Sequence, residues 1–350
     1  AAAHHADHTA RAVTSPDGLD LPALQKFFDA EIPGTDELRA ELIQGGRSNL
    51  TYRLTDGRST WVLRRPPLGG LTPSAHDMAR EYRVVAALWG TPIPVARAVA
   101  LCEDTAVLGV PFAVVDYVAG PVIRTREELH ALPQDEITRC ANALIDVLAA
   151  LHAVDPQFVG LGGFGRSQGY LGRQVRRWFD QWTRVATRAL DDVERLHALL
   201  EQACPTEAGA SIVHGDYRID NAILDPDDPG TVRAIVDWEM STLGDPLADL
   251  GLHLAYADGA FDPLLGGLAA ATSPLMPGRD DVLQRYATRS GRDLPNINFY
   301  IALGYFKIAV IAEGIHARYL LGMTRGSGFE SVGGAVPTLA AAGLAALSRG

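Results

Sequence analysis

One short segment of the chain carries three oxygen-bearing side chains at a spacing that restricts what the chain can fold into. Asp216 is followed five residues later by Asn221, and Asp237 comes after a single predicted hairpin. The predicted strands of this segment are Ser211–Val213, Ala222–Leu224 and Val232–Val236. An acidic turn at 225–230, rich in Asp, Pro and Gly, reverses the chain between the last two strands. The pattern therefore predicts a loop and a hairpin that bring two carboxylates and an amide to one edge.

This spacing favours phosphoryl transfer. Asp216 can accept a hydrogen bond from a substrate hydroxyl and take its proton late in the transfer, while Asn221 and Asp237 offer the oxygen ligands that Mg²⁺ prefers. Arg218, two residues after Asp216, can balance charge on the moving phosphoryl group. The alternative is that these are turn residues of an unrelated α/β protein. Agreement between the intervals, the strands and the hairpin favours the site.

The same residues resemble a known family. His214-Gly-Asp-x-x-x-x-Asn221, with Asp237-Trp-Glu and Gly244-Asp-Pro-x-x-Asp-Leu250, resembles the aminoglycoside phosphotransferase (choline-kinase-like) family. The motifs are most similar to a branch that contains bacterial proteins named as aminoglycoside phosphotransferases and the kinase-like region of acyl-CoA dehydrogenase family members ten and eleven. The resemblance implies an α+β, two-lobed protein-kinase-like fold, with a small mainly β N-lobe and a larger mainly helical C-lobe. It also implies ATP and Mg²⁺ as cofactors.

The periodicity along the chain agrees with that fold. The order upstream is β-β-β-α-β-β after a first short helix, as the N-lobe requires; the predicted elements are helix Leu21–Ala30, strands Leu38–Leu42, Leu50–Leu54 and Thr60–Arg64, helix Ser74–Trp89, and strands Val95–Cys102 and Phe112–Tyr117. Downstream the predicted helices are Gln134–His152, Tyr170–Cys204, Pro246–Tyr256, Arg279–Ser290, Asn296–Leu320 and Val336–Ser348. We therefore expect a disordered tail at 1–18, a nucleotide-binding lobe at 19–118 and a catalytic and acceptor-binding lobe at 119–350.

Two parts of the predicted N-lobe are candidates for backbone contacts with the nucleotide. A Gly-Gly loop between the first two strands can cover phosphates through its N–H groups. The strand that ends before Gly120-Pro121 is where the resemblance implies a hinge that reads the adenine edge. The candidate residues are Gly46, Ser48 and Asn49 in the loop and Asp116, Tyr117 and Val118 in the hinge.

The chain departs from the family pattern at the third strand. Arg64 stands where most kinases carry a phosphate-binding lysine, and Arg65 is the alternative candidate. Arg64 shares a strand face with Val62 by two-residue alternation, and its guanidinium can fork onto phosphate oxygens and onto Glu81 of the following helix. An arginine is larger and planar, so it is not equivalent to lysine at such a site.

A second acidic motif has a predicted structural role. Asp245 and Asp249 lie in Gly244-Asp-Pro-Leu-Ala-Asp-Leu, just before and inside a predicted helix. We expect them to cap that helix and to tie the catalytic loop by hydrogen bonds.

The composition excludes some classes of function. The net charge of −11 is unfavourable for a nucleic-acid surface, and three widely spaced cysteines indicate neither a disulfide framework nor a zinc site. The apolar run Phe299–Ile315 carries Lys307 and Glu313, which favours a buried helix over a membrane span. The first residues lack the pattern of a signal peptide, so we expect a cytoplasmic protein, as a monomer or homodimer.

The acceptor of the phosphate stays open at this stage. Four arginines of the predicted helix 170–204, Arg173, Arg177, Arg184 and Arg188, can meet a polyanion such as a hydroxyacyl-CoA, or form a solvated helix face. An aminoglycoside needs carboxylates instead, and the candidates are Asp258, Asp262 and Glu313. The alternative function is a catalytically weak nucleotide-binding pseudokinase module, favoured by the missing strand lysine.

Overall fold

The structure is a computed structural model that describes residues 15–43, 49–67, 77–324 and 327–349. Most of the predicted tail, Gly46, Ser48 and the beginning of the predicted helix at Ser74 lie outside the described residues. The described chain divides into two compact units. The first contains residues up to Ala86 together with Arg97–Tyr117, and the second contains Ala87–Ala96 and the residues from Val118 onward.

The first unit is a five-stranded antiparallel sheet with three helices. Its elements are α1 (Leu21–Glu31), β1 (Arg39–Leu42), β2 (Leu50–Thr55), β3 (Thr60–Arg65), α2 (Met78–Leu88), β4 (Ala98–Cys102), α3 (Thr105–Leu108) and β5 (Phe112–Asp116). The strands follow the order β1-β2-β3-β5-β4, so β3 lies at the centre of the sheet. The predicted β-β-β-α-β-β order is confirmed, with the single turn of α3 added between the last two strands.

Alternation along β3 determines which of its side chains enter the core. Trp61 and Leu63 are buried on the face that α1 covers, and the ring of Trp61 meets Phe28 of α1 edge to face at a centroid distance of 5.3 Å. Asp20 caps the N-terminus of α1 by accepting a hydrogen bond from Ala23 N at 3.0 Å. Successive strand residues point to opposite faces, so Arg64 lies on the side of the sheet away from this core.

The second unit is mainly helical. Its helices are α4 (Arg126–His130), α5 (Gln134–Ala153), α6 (Tyr170–Val185), α7 (Asp191–Gln202), α8 (Pro246–Ala255), α9 (Arg279–Ser290), α10 (Ile297–Leu320) and α11 (Val332–Leu347). Its strands are β6 (Ser211–Val213), β7 (Ala222–Leu224), β8 (Val232–Ile235) and β9 (Thr242–Gly244). A mainly β unit followed by a mainly helical unit confirms the predicted α+β class.

The long apolar helix α10 is the centre of the second unit. It packs against α8, α11 and α6. By length and composition it is apolar enough to cross a membrane, yet 72% of its most apolar window is buried inside the protein. That burial is typical of a core helix, as its internal Lys307 and Glu313 indicated.

The predicted helix Tyr170–Cys204 is wrong, because the chain leaves helical geometry after Val185 and resumes it at Asp191. The cause is a buried carboxylate on α10. Glu313 accepts hydrogen bonds from Thr187 N at 2.8 Å and Thr187 Oγ1 at 2.5 Å, and its second oxygen lies 3.4 Å from Arg188. These contacts need Thr187 outside a helix. Arg188 therefore does not continue the arginine face of α6.

Candidate active site

The loop that carries Asp216 is held between two small antiparallel sheets. β6 enters the loop and pairs with β9, while β7 leaves it and pairs with β8. Gly215 turns the chain at φ 85°, and a Cβ at this position would lie 2.6 Å from Met240 O. Only glycine fits here, because it combines left-handed backbone geometry with close approach to a neighbouring carbonyl.

Asp249 fixes this loop from α8. Its buried carboxylate accepts hydrogen bonds from His214 N at 2.6 Å and from Gly215 N at 2.8 Å, and His152 Nε2 lies 3.1 Å away. Burial opposes ionisation, but these hydrogen bonds and the nearby imidazoles hold the pKa of Asp249 below its ordinary value. Asp245 caps α8 by accepting from Leu247 N at 2.9 Å. Both predicted structural roles are confirmed.

Asp216 lies at the centre of a polar cluster and is itself only partly exposed. Tyr256 donates a hydrogen bond to its Oδ1, and Asn221 Nδ2 donates to its Oδ2 at 3.2 Å. Burial raises the pKa of Asp216, but Arg218, Lys307 and the Tyr256 hydroxyl outweigh it, so the pKa lies below the ordinary value. The carboxylate is therefore ionised at neutral pH and can accept a proton.

Arg218 pairs with two carboxylates of its own loop. Its guanidinium lies 3.4 Å from Asp216 and 3.0 Å from Asp220, and it stacks over the rings of Tyr256 at 5.2 Å and Phe261 at 5.5 Å. These contacts hold the cation beside Asp216. A contact between Arg218 and a phosphoryl group stays a prediction.

The two predicted metal ligands flank the open end of the β7–β8 hairpin, Asn221 just before β7 and Asp237 two residues after β8. Val236 N donates a hydrogen bond to the Asn221 carbonyl at 2.9 Å, and Asp237 is the next residue after Val236. Asp237 has left-handed backbone geometry, with φ 66°. The Asn221 amide nitrogen donates to the Asp216 carbonyl at 2.9 Å and to its carboxylate, and within the described residues the side chain makes no other hydrogen bond.

This arrangement fits a hard cation. Because the nitrogen of Asn221 makes both hydrogen bonds, its amide oxygen keeps its lone pairs, and Asp237 supplies an anionic oxygen nearby in the fold. Mg²⁺ commonly takes one or two protein oxygens and completes its shell with water and phosphate. Among the described residues, no group of three or more His, Cys, Asp or Glu side chains is placed to hold a metal.

Two residues of this cluster were not predicted as site residues. Lys307 of α10 donates to the Gly215 carbonyl and lies 5.4 Å from the ring centroid of Trp178. Burial lowers its pKa to about 8, although the carboxylates of Asp216 and Asp249 oppose the shift. Tyr256 follows the last residue of α8. A lysine within an apolar run is a signal for a buried partner, whereas Tyr256 gives no such signal.

In the first unit, Arg64 pairs with Glu81. Arg64 Nη1 lies 2.7 Å from Glu81 Oε1, which confirms the predicted pair of strand cation and helix carboxylate. Arg65 points into the opposite face, where it donates to the carbonyls of Gly18 and Pro66. The structure therefore favours Arg64 over Arg65 as the candidate for phosphate contact, which itself stays a prediction.

The predicted hinge is partly engaged by the protein. Asp116 N donates to Arg97 O at 2.9 Å, and Tyr117 N donates to Thr60 O at 3.1 Å. The Asp116 carboxylate also pairs with Arg97 at 2.7 Å. The amides of Asp116 and Tyr117 are thus engaged within the protein, and adenine recognition by this segment stays a prediction. Asn49, the described residue of the predicted phosphate loop, is buried.

The three candidate carboxylates for an aminoglycoside do not form one group. Glu313 is 0% exposed and accepts hydrogen bonds from the non-helical segment that follows α6. Asp262 accepts from Thr272 Oγ1 at 2.6 Å and Ala269 N at 2.8 Å, so it stabilises its own loop. Asp258 accepts from Tyr305 OH at 2.9 Å. Each is committed to internal hydrogen bonds.

Comparison with known proteins agrees with this geometry. Residues 39–283 match the model of the Phosphotransferase enzyme family. A protein from Ralstonia eutropha JMP134, described as a "putative aminoglycoside phosphotransferase", is 34% identical to this chain. Its crystal structure covers 94% of this chain and 98% of its own, and superposes with a TM-score of 0.81. The chain belongs to this phosphotransferase family, and the predicted kinase-like fold is confirmed.

Two further relatives differ in what they share with the chain. Human acyl-CoA dehydrogenase family member 11 is 34% identical over 87% of this chain, but the chain covers only 40% of that protein. The aminoglycoside phosphotransferase APH(4)-Ia, in ternary complex with AMP-PNP and hygromycin B, superposes with a TM-score of 0.60 over 93% of this chain and 98% of its own at 15% identity. The second likeness concerns the fold alone.

Proposed function

We propose that this protein transfers the γ-phosphate of ATP to the hydroxyl of a small molecule. The observation that carries the proposal is the environment of Asp216. Its carboxylate is ionised, and Arg218 and Asn221 hold it in place. A base that accepts a proton late in transfer needs both properties. Two acceptor classes remain from the sequence, namely aminoglycoside-like antibiotics and hydroxyacyl-CoA-like metabolites.

Asn221 and Asp237 would hold Mg²⁺, which supplies positive charge to the phosphate oxygens when bound. Arg64 would contact phosphate, with Glu81 fixing its guanidinium. The loop with Gly46, Ser48 and Asn49 would cover the phosphates, and the backbone of 116–118 would read the adenine. Support for a nucleotide comes from the AMP-PNP in the APH(4)-Ia complex of the same fold.

The test compares Asp216→Asn with Asp227→Asn. Asp227 lies exposed in the turn between β7 and β8, so its variant is a matched control for loss of one negative charge. We expect Asp216→Asn to lower ATP turnover by about 100-fold or more, because an amide cannot take the proton, while calorimetric binding of Mg·ATP changes little. Asp227→Asn should behave as wild type. Full turnover by Asp216→Asn would contradict the assignment.

The metal assignment has its own test. We expect Asp237→Ala to abolish the Mg²⁺ dependence of ATP binding, measured by calorimetry with and without the metal. Unchanged Mg²⁺ dependence would exclude Asp237 as a ligand.

A pseudokinase module is the other candidate, and its support was the missing strand lysine. The Arg64–Glu81 pair at 2.7 Å weakens that argument, since the strand cation and its helix partner are both in place. A phosphate-transfer screen over aminoglycosides, macrolides, choline-like alcohols and hydroxyacyl-CoAs separates the two functions. Transfer to any of them supports the enzyme, whereas Mg·ATP binding without transfer or hydrolysis supports the module.

A further inference from the structure

Tyr256 occupies a hydrogen-bonding position on the Asp216 carboxylate that a substrate hydroxyl would need. Its buried phenol donates to Asp216 Oδ1. The second oxygen, Oδ2, accepts from Asn221 at 3.2 Å and lies 3.4 Å from Arg218. Both carboxylate oxygens are thus engaged. An alcohol that binds Asp216 must replace one of these partners.

The two carboxylate oxygens of Asp216 differ in how easily their hydrogen-bond partners can be displaced. Asn221 also donates to the Asp216 carbonyl at 2.9 Å, and Arg218 also pairs with Asp220, so the partners of Oδ2 are fixed within the loop. Tyr256 comes from the end of another element, α8, and offers an O–H donor like that of an alcohol. The Oδ1 position is therefore the exchangeable one.

A cavity of about 280 Å³ lies next to this phenol. Tyr256 and Arg218 form part of its wall, and much of the rest is aliphatic. The main aliphatic contributors are Leu144, Ile145, Ile219, Leu254, Val282 and Ile301. Such walls can bury hydrocarbon. Of the polar residues that also line the cavity, Asp258 already accepts a hydrogen bond from Tyr305 OH at 2.9 Å, and His253 Nδ1 lies 3.3 Å from Tyr217 O. Few partners are therefore left for the amino and hydroxyl groups of a polycationic sugar.

The charges at the edge of the cavity also disfavour a polycation. Arg279 and Arg349 line both the cavity and a second pocket beside it, which contains Asp280 and Asp281 as well. Arg218 and Asp258 line the cavity as well, so three cations and three anions leave no net negative charge to attract ammonium groups.

We propose that this cavity binds the aliphatic body of the acceptor alcohol, and that Tyr256 holds the place of the acceptor hydroxyl on Asp216 Oδ1 until the acceptor arrives. The inference rests on the proposed function, because that function makes Asp216 the group that receives the hydroxyl. It selects an acceptor with an uncharged aliphatic segment over an aminoglycoside.

The first experiment measures binding of 2-octanol to the nucleotide-free protein by ligand-observed NMR. Ala342 of α11 lines the cavity, whereas its neighbour Ala341 is exposed and does not. We expect Ala342→Leu to weaken binding by about tenfold or more by filling the cavity, and Ala341→Leu to bind as wild type. Absence of binding to wild type, equal binding by Ala342→Leu, or displacement of 2-octanol by kanamycin would each overturn the proposal.

The second experiment isolates the phenol with Tyr256→Phe, which keeps the ring and removes the hydroxyl. We expect 2-octanol to bind about three- to tenfold more tightly, since a competing hydrogen bond is gone, while 2-octanone, which has no O–H donor, binds unchanged. An equal change for both ligands, or weaker binding of the alcohol, refutes the role of Tyr256. These binding experiments contain no ATP, so their results do not depend on phosphate transfer. A protein that transfers no phosphate can still bind 2-octanol as proposed, and a protein that does not bind 2-octanol can still transfer phosphate.

Discussion

Asp249 accepts a hydrogen bond from the Gly215 amide at 2.8 Å and so holds the residue that immediately precedes Asp216. The same carboxylate accepts from His214 N at 2.6 Å. One buried side chain from α8 therefore orients two consecutive amides of the loop that carries Asp216, without belonging to that loop.

Replacing Asp249 with Asn tests this support. The side-chain amide of the variant has one acceptor oxygen where the carboxylate has two. The buried N–H of either His214 or Gly215 therefore faces the NH₂ group, which is itself a donor. We expect a loss of about 1–3 kcal/mol in the free energy of unfolding and a fall of about 10- to 100-fold in ATP turnover. Urea unfolding and steady-state kinetics measure the two effects. A variant with lower stability but full turnover would show that Asp249 supports the fold and not the position of Asp216.

Lys307 predicts a pH dependence of turnover. Its pKa of about 8, lowered mainly by burial, places the loss of its charge just above neutrality. The charge lies near Asp216 and the hydrogen bond holds Gly215 O, so turnover should fall as the pH rises through about 8. We expect the alkaline limb to disappear in Lys307→Met. The acid limb should move to higher pH, because Asp216 loses a cation that lowers its pKa.

Lys307→Arg is the control, because an arginine stays protonated at pH 8. It should keep the acid limb near its wild-type position and also lose the alkaline limb. A wild-type profile without an alkaline limb near 8, or an alkaline limb that survives in Lys307→Met, would contradict the role of this lysine.

Replacing Arg64 of β3 should change the affinity of the protein for ATP. Arg64→Ala removes the guanidinium that we propose as a charge-assisted partner of phosphate, so we expect the KM for ATP to rise by about 10- to 100-fold. Arg64→Lys keeps the charge and should lie between this variant and wild type. The control is Arg58→Ala, whose side chain forms an exposed pair with Asp36. A surface pair of this kind contributes little, so its KM should not change. Equal KM values for all four proteins would exclude Arg64 from phosphate binding.

Local patterns explain which elements could be predicted. Alternation and turn residues gave the strands around Asp216 almost to the residue, because β6, β7 and β8 are short and bounded by Gly, Pro and Asp. The break after Val185 could not be predicted in this way. Its cause, Glu313, lies more than a hundred residues further along the chain.

The same limit applies to the candidate site. Asp216, Asn221 and Asp237 lie close in sequence, so their spacing alone predicts a common site. Tyr256 and Lys307 reach Asp216 and Gly215 only through the packing of α8 and α10 against the loop. Sequence spacing does not predict such contacts, although a lysine in an apolar helix indicates that a partner exists.

The contact between α8 and α10 makes a prediction about stability. A Cβ at Gly251 would lie 2.4 Å from the carbonyl carbon and oxygen of Tyr300, both backbone atoms that cannot turn away. We expect Gly251→Ala to lower the free energy of unfolding by about 1–3 kcal/mol, seen as a lower midpoint in urea. The matched control is Gly334→Ala on α11, where a Cβ would have no atom within 4 Å. Alanine is the better helix former, so this variant should be unchanged or more stable by about 0.5–1 kcal/mol. Equal midpoints for the two variants would show that α8 and α10 can separate at no cost.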